Sequence, residues 1–464
     1  MAYSAKDMND TIVALATPPG IGAIGVIRLS GQDAIRICNR FFFGKNLEEQ
    51  DSHTIHLGTI RDEKNIILDE VLVSLFVAPK SYTKENVVEI SCHGSNYILQ
   101  SIIQLFLRNG ARTAQRGEFT MRAFLNGQLD LSQAEAVADL IASDSEKSHE
   151  LALKQMRGGF SQEIAKLRQE LIDFASLIEL ELDFGEEDVE FANRDKLRAL
   201  VEQIRGLLQR LIESFTLGNV LKHGVQTVIA GRPNAGKSTL LNALLNEERA
   251  IVSDIAGTTR DTIEESLNIN GVLFRLVDTA GIREAQDTIE AIGVEKTMEK
   301  IGQSSLLVYV FDAVQTPPDE VKKDLQSLYK ENLHTIVVAN KADLKGAIDF
   351  NDYAHQNLQE NNFIILSAKQ QTNIAGLKQE LFTAVTDAKV SGDNTIITNT
   401  RHLEALQKSH ESLSDVLKGM DMQVTSDFIA MDIRRALAFL GEITGEISTD
   451  DLLGNIFGRF CIGK

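Results

Sequence analysis

Residues 231–238, Gly231-Arg-Pro-Asn-Ala-Gly-Lys-Ser238, carry the most specific chemistry in the chain. Glycines at this spacing let consecutive backbone N–H groups wrap phosphate oxygens. Lys237 adds a positive charge near the β and γ phosphates, and Ser238 adds a hydroxyl for Mg2+. The context agrees with that chemistry. A β-type run, residues 227–230, precedes the loop, and a helical run, residues 239–245, follows it. The helix N-terminus adds its own field to the anion site.

Three further segments read the nucleotide. Asp278-Thr-Ala-Gly281 closes a β-type run, so Asp278 suits the Mg2+ shell and the Gly281 N–H suits the γ-phosphate. Asn340-Lys-Ala-Asp343 follows the apolar run 335–339. A carboxylate at Asp343 accepts from guanine N1 and N2, a pattern that adenine lacks. Ser367-Ala-Lys369 follows the run 363–366 and backs the base. Each fragment alone reads as a strand-end turn, but their order and spacing together read as a GTPase.

Between the phosphate loop and Asp278 lies Gly257-Thr-Thr-Arg-Asp261, in the place of a switch segment, and Thr259 is the expected Mg2+ ligand with Ser238. The expected GTP-binding set is Asn234, Ala235, Gly236, Lys237, Ser238 and Thr239, then Gly257, Thr258 and Thr259. Asp278, Thr279, Ala280 and Gly281 follow, and Asn340, Lys341, Asp343, Ser367, Ala368 and Lys369 complete it. A Ras-like enzyme places glutamine after the glycine of the second segment to orient the attacking water. Ile282 stands there instead, and Glu284, Asp287 and Glu290 are the acidic groups downstream that compete for that task. As a bland alternative, all three are solvated loop charges.

The rest of the chain must position this chemistry. Its 464 residues exceed what one core normally serves, and 43% hydrophobic with 24% charged residues is an ordinary globular balance. No apolar run reaches the length of a spanning helix, and the first ten residues are polar, so the expectation is a cytoplasmic protein with no membrane partner. Three cysteines, Cys38, Cys92 and Cys461, are too few and too scattered for a disulfide framework or a zinc cluster. A net charge of -19 opposes a broad nucleic-acid surface, so RNA binding would need a local basic patch or a helper.

Patterning divides the chain. Short branched runs at 11–16, 25–29, 71–77 and 87–90, with helices expected at 33–42 (Ser30 as N-cap) and 97–108, read as an α+β domain over 1–119. Helical periodicity marks 120–217, where Leu197, Leu200, Val201, Ile204, Leu207, Leu208, Leu211, Ile212 and Phe215 recur at steps of three and four. It returns over 387–464 with Leu403, Leu406, Leu413, Val416, Leu417 and Met420. Between them, 218–386 alternates apolar strands with helices, the signature of a mostly parallel sheet. The expected class is multidomain α+β and α/β, with a Ras-like P-loop domain inserted in a helical domain.

Several features carry a bland reading. Gly20-Ile-Gly-Ala-Ile-Gly25 matches a dinucleotide fingerprint, but a strand-like run rather than a helix follows it, so a turn between strands is expected. Cys92-His93 has no further ligand at metal spacing, and the acidic run 183–190 reads as a solvated loop. Arg108, Arg112, Arg116 and Arg122 form either a local RNA-facing patch or a scattered solvated face.

Asp-Thr-Ala-Gly-Ile, Gly-Thr-Thr-Arg-Asp and the ending Phe460-Cys-Ile-Gly-Lys464 together resemble the MnmE (TrmE) family of tRNA modification GTPases, of the TrmE-Era-EngA-like P-loop class. Ala16-Thr-Pro-Pro-Gly20, Gly117-Glu-Phe119, Arg122-Ala-Phe-Leu-Asn126 and Leu129-Asp-Leu-Ser-Gln-Ala-Glu135 extend the likeness over essentially the whole chain. The resemblance implies an N-terminal tetrahydrofolate-binding domain that forms a homodimer, a helical domain, and an inserted G domain. It implies an FAD-dependent tRNA modification partner, joined with this chain in a heterotetramer, and action on tRNA. The implied reaction adds a carboxymethylaminomethyl or aminomethyl group at C5 of the wobble uridine, position 34. The one-carbon unit would come from 5,10-methylene- or 5-formyl-tetrahydrofolate.

The same resemblance implies that Glu290 orients the water and that K+ replaces an arginine finger. Asn234, Ser253, Ile255 and Thr258 match the potassium ligands, and the resemblance adds Ser253, Asp254, Ile255 and Ala256 to the expected GTP-binding set. Arg28, Glu89 and Lys464 match folate contacts, with Gln128 standing where relatives often carry lysine. Cys461 matches a cysteine important for modification, with no nucleophilic role assigned to it. Two other readings compete: a GTP-dependent ribosome-assembly or signalling switch without modification chemistry, and a folate-binding module regulated by a G domain.

Overall fold

The computed structural model describes residues 10–183, 194–245, 264–278, 304–330, 333–346, 348–354, 360–386, 395–447 and 450–463. They fall into two compact units. The first comprises Met1–Ile141, Leu153–Leu208 and Glu404–Lys464, and the second Ala142–Ala152 and Gln209–Leu403. Most of the helical segments on either side of residues 209–403 fall in the first unit.

In the first unit, β1 (Thr11–Leu15), β2 (Ile24–Ser30), β3 (Phe42–Phe43), β4 (Thr54–Arg61), β5 (Ile67–Phe76), β6 (Val87–His93) and β7 (Ala111–Thr113) form one sheet. Its order is β3-β4-β5-β6-β2-β1-β7, antiparallel except for the β1–β7 pair. The helices α1 (Ala34–Asn39) and α2 (Asn96–Arg108) close over a core of Val13, Ile27, Leu29, Val73, Ile90, Ile102 and Phe106. Burying each such side chain is worth about 1.5–3 kcal/mol. Helix α2 packs closely because Gly25 lacks a side chain; a Cβ there would lie 2.6 Å from Leu99 Cδ2.

The glycine-rich stretch 20–25 joins β1 to β2, which pair antiparallel from Ile12↔Ser30 to Leu15↔Ile27, so it is a strand-to-strand connection. Two local expectations are corrected. Ser30 is not a helix cap: it ends β2, its hydroxyl donates to Glu85 at 2.7 Å and meets Thr83 at 2.7 Å, and α1 starts after Asp33. The sequence reading also missed β4. There His56 and Ile60 face inward while Ile55 and Leu57 are exposed, so the hydrophobic alternation does not mark the buried face.

Helices α3 (Glu118–Leu125), α4 (Leu131–Ala142), α5 (Glu146–Met156), α6 (Gly159–Asp183) and α7 (Arg194–His223) follow. Leu197, Val201, Ile204, Leu208 and Leu211 are buried along α7, the face that the three-four spacing marked.

The second unit holds β8 (Val225–Ala230), β9 (Glu264–Ile269), β10 (Val272–Asp278), β11 (Leu306–Asp312), β12 (His334–Asn340) and β13 (Phe363–Ile365), with α8 (Lys237–Leu245), α9 (Pro318–Leu328), α10 (Phe350–Tyr353) and α11 (Ile374–Thr386). The sheet order is β13-β12-β11-β8-β10-β9, parallel apart from the β9–β10 hairpin. Strand β11 is buried along its whole length, as a central parallel strand requires. Strand order reverses at β8, whose neighbours are β10 and β11, and such a switch point opens a crevice at the strands' carboxyl ends.

The remaining helices are α12 (Thr400–Asp421), α13 (Ser426–Thr444) and α14 (Asp450–Phe457). Leu406, Leu413, Val416 and Leu417 are buried on α12. In the first unit, Leu453, Phe457 and Phe460 pack with Met121, Leu131 and Ala134, which brings the last described residues onto α3 and α4. The observed class is the multidomain α+β and α/β one expected from the sequence. No helix among the described residues is long and apolar enough to cross a membrane.

Candidate functional site

The phosphate loop runs from the carboxyl end of β8 into α8. Three of its residues have positive φ: Gly231 at 154°, Asn234 at 58° and Gly236 at 91°. Glycine is required twice for space as well as for φ. A Cβ on Gly231 would lie 2.0 Å from Val310 O, and one on Gly236 would lie 2.3 Å from Asn340 Nδ2. Lys237 is buried, and its Nζ donates to Gly231 O at 2.8 Å and Arg232 O at 3.0 Å, which sets its charge inside the loop. Ala235 is buried, while Asn234, Ser238 and Thr239 are exposed on the loop and the first turn of α8.

Asn340, at the end of β12, joins this loop to the segments that begin at Lys341 and Ser367. Its Nδ2 donates to Ala235 O at 2.8 Å, and its Oδ1 accepts from the N–H groups of Lys341 at 2.8 Å and Ala368 at 3.0 Å. Lys341 takes φ of 62°, and its Nζ donates to Asp312 Oδ2 at 2.7 Å. Burial alone would raise the Asp312 carboxyl. The Lys341 ammonium and the N–H groups of Val314 and Gln315 outweigh burial and hold it below the usual carboxylate range. Asp343 is exposed in the turn Ala342–Leu344. Ser367 and Ala368 are buried, Ser367 Oγ accepts from Gln370 N at 3.2 Å, and Lys369 is exposed.

Strand β10 pairs Asp278 with Ile229 of β8, so its end lies beside the start of the phosphate loop. Ser253, Asp254, Ile255, Ala256, Gly257, Thr258, Thr259, Thr279, Ala280, Gly281, Glu290 and Lys464 lie outside the described residues, as do the Asp278 side chain and residues 184–190 of the acidic run.

A second group forms on the first unit's sheet. Arg28 and Glu89 face each other across β2 and β6, with Arg28 Nε donating to Glu89 Oε1 at 2.8 Å and Nη2 at 2.7 Å. The Arg28 guanidinium carbon also lies 5.8 Å from the Tyr82 ring centre and 5.6 Å from that of Phe119. Arg28 Nη1 donates to Gly463 O at 3.3 Å. Cys461 is a free, exposed thiol, and its carbonyl accepts from Gly117 N at 3.3 Å. Ile462 forms an isolated bridge with Arg116. Gln128 is exposed after α3, and its N–H donates to Ala123 O at 2.8 Å.

The arginine-patch expectation is corrected here. Arg122 is 0% exposed. It bonds Asp10, Glu85 and Glu118, with Nη2 to Asp10 Oδ1 at 2.6 Å and to Glu118 Oε1 at 3.0 Å. Arg112 pairs with Glu118 at 2.6 Å and with Asp10. Both arginines are thus spent on an internal ion network, because a guanidinium taken from water must be paired. The sequence reading missed Asp10, Glu85 and Glu118; the Glu118–Arg122 spacing of one helical turn was the available signal. Cys92 and His93 also part company. Cys92 Sγ contacts Gly25 O at 3.5 Å, while His93 Nδ1 meets Asp69 Oδ1 at 2.8 Å.

The family model described as the MnmE helical domain matches residues 131–461, and that described as the GTP-binding protein TrmE N-terminus matches residues 11–128. A tRNA modification GTPase MnmE of Cytophaga hutchinsonii is 57% identical over 456 residues, 98% of each chain. That of Flavobacterium johnsoniae is 54% identical over 465 residues, 98% of this chain and 99% of the relative. That of Bacteroides fragilis strain ATCC 25285 is 50% identical over 465 residues, 98% of this chain and all of the relative. With its phosphate loop at the β8 switch point and likeness along almost its full length, this chain belongs to the MnmE family of tRNA modification GTPases.

Proposed function

We propose that this tRNA modification GTPase is activated by potassium and works with an FAD-dependent partner on the wobble uridine, position 34, of certain tRNAs. The product carries a carboxymethylaminomethyl or aminomethyl group at C5, and a tetrahydrofolate supplies the one-carbon unit. The observation that carries this reading is the convergence of Arg28, Glu89 and the chain end bearing Cys461 on one sheet. Apart from the G domain, the chain thus carries a carboxylate–guanidinium pair flanked by Tyr82 and Phe119 and bonded to the chain end, whose Cys461 is an exposed thiol. That polar and aromatic set fits a flat, hydrogen-bonding heterocycle such as a pterin. Glu89 would accept from its ring N–H groups, and Arg28 would hold Glu89 in place.

In the G domain, Ser238 and Thr259 would hold Mg2+, which suits their oxygen donors and neutralises phosphate charge when bound. Asn234, Ser253, Ile255 and Thr258 would hold K+, and the exposed position of the Asn234 side chain is consistent with that task. Glu290 would orient water and Asp343 would select guanine. The exposed cross-strand pair Leu57↔Leu72, with Ile55 beside it, supports a homodimer through the first domain. FAD would enter only through the partner, and the work would take place in the cytoplasm.

Two assays test the reading separately. Equilibrium binding of 5-formyltetrahydrofolate should be seen with the wild-type chain and lost in Glu89→Gln; no wild-type binding would overturn the folate assignment. GTP turnover should be fast in KCl and slow in NaCl, and equal rates would overturn potassium activation.

A further inference from the structure

Arg232, the second residue of the phosphate loop, is held from outside the loop. Its Nε donates to Asp324 Oδ2 at 2.7 Å and its Nη2 to Asp324 Oδ1 at 3.0 Å, a two-point fork. Its Nη1 also bonds Glu320, one turn before Asp324 on α9. Asp324 is in turn fixed from the sheet, because Tyr309 Oη donates to Asp324 Oδ2 at 2.6 Å. Tyr309 sits on β11, 1% exposed and stacked on Phe311. On its other side, the Arg232 carbonyl accepts from Lys237 Nζ at 3.0 Å.

We infer that Arg232, Asp324 and Tyr309 form a positioning relay that presets the first half of the phosphate loop for GTP. Asn340 fixes the second half through Ala235 O. A loop with two glycines and three positive φ values has many alternative shapes, and a ligand that must order it binds more weakly. The relay joins the loop's first turn to a buried strand, and it needs no contact with phosphate. Arg232 is 40% exposed on its side chain, so the pair adds little to global stability. Positioning and folding are therefore separable by measurement.

The relay rests on reading 231–238 as the phosphate loop, so wild-type binding of a fluorescent GDP is measured first. Failure to bind would overturn that reading and the relay with it. Asp324→Asn keeps the volume and an acceptor for Tyr309 but removes the charge. Arg232→Gln removes the fork, and Arg232→Lys keeps the charge without the fork. We expect the GDP Kd and the GTP KM to rise about fivefold to tenfold in Asp324→Asn and Arg232→Gln, with kcat within about twofold and the unfolding midpoint within about 2 °C. Arg232→Lys should fall between wild type and Arg232→Gln. The double variant Arg232→Gln/Asp324→Asn should be no worse than the poorer single one, since both break the same link. Unchanged Kd and KM in both single variants would overturn the relay. So would additive losses in the double variant, or a fall in unfolding midpoint beyond about 5 °C, which would make the pair a prop for the fold.

Discussion

Arg28 Nη1 donates to the carbonyl oxygen of Gly463 at 3.3 Å, across 435 positions of sequence. The last described residues are thereby built into the first domain's sheet surface, beside Glu89 and within reach of Tyr82 and Phe119. Gly463 is fitted to this place. Its φ is 97°, and a Cβ would lie 2.2 Å from Leu15 O.

Gly463→Val should therefore detach the chain end, because a branched side chain at that φ is strained and the Leu15 carbonyl is backbone that cannot move aside. Binding of 5-formyltetrahydrofolate should weaken at least about tenfold, a loss of roughly 1.4 kcal/mol, while GTP hydrolysis stays near wild type. Calorimetric titration beside a GTPase assay checks this. Equal folate affinity in the variant would mean that the chain end is not part of that site.

Arg122 anchors the ion network under α3, and it is fully buried. Arg122→Met should lower stability by about 3–5 kcal/mol, because Glu118 then keeps a buried charge with fewer partners. Denaturant unfolding measures it. A loss below about 1 kcal/mol would show that the network adds little.

The network also predicts an acid limb. Burial would raise Glu118 and Asp10, but the Arg112 and Arg122 guanidiniums outweigh it and hold both carboxyls below their ordinary values of 4.5 and 3.8. A lowered folded pKa means stabilisation that is present above those ordinary values and lost as the pH falls through the lower folded ones. Stability followed from pH 6 to pH 2 should drop over that acid range. The slope should be shallower in Arg122→Met; an identical slope would remove these carboxyls as its cause.

Asp343 gives a base-specificity prediction. A carboxylate accepts from guanine N1–H and N2–H, whereas an amide presents a donor as well. Asp343→Asn should weaken GDP binding roughly 100-fold and gain xanthosine diphosphate, which carries an acceptor where guanine has its amino group. Competition binding with the two diphosphates reads this out. Unaltered preference would place base recognition elsewhere.

What was legible in the sequence was mostly local. The loop 231–238, the strand before it and the helix after it are contiguous, so motif and context could be read together. The buried stripe Leu197–Val201–Ile204–Leu208 was legible because one helix repeats its own face. Arg122 was not, because two of its partners, Asp10 and Glu85, lie 112 and 37 positions away and only the fold brings them in. Ser30 was misread as a cap for the same reason: its hydroxyl is engaged by Thr83 and Glu85. Strand β4 escaped because its outward residues include Ile55 and Leu57 while His56 faces the interior. Arg28 and Glu89 stood out only through family resemblance, since nothing in their neighbours marks a site. The Arg232–Asp324 fork links positions 92 apart and left no sequence signal.

The most direct test of the central claim is nucleoside mass spectrometry of bulk tRNA from a host strain lacking this chain, complemented with wild type or with Cys461→Ser. The account predicts that C5-modified wobble uridines disappear in the deletion and return with wild type, but not with Cys461→Ser. Unchanged nucleosides in a deletion strain without a second copy would contradict it and favour a GTP-dependent ribosome-assembly or signalling switch.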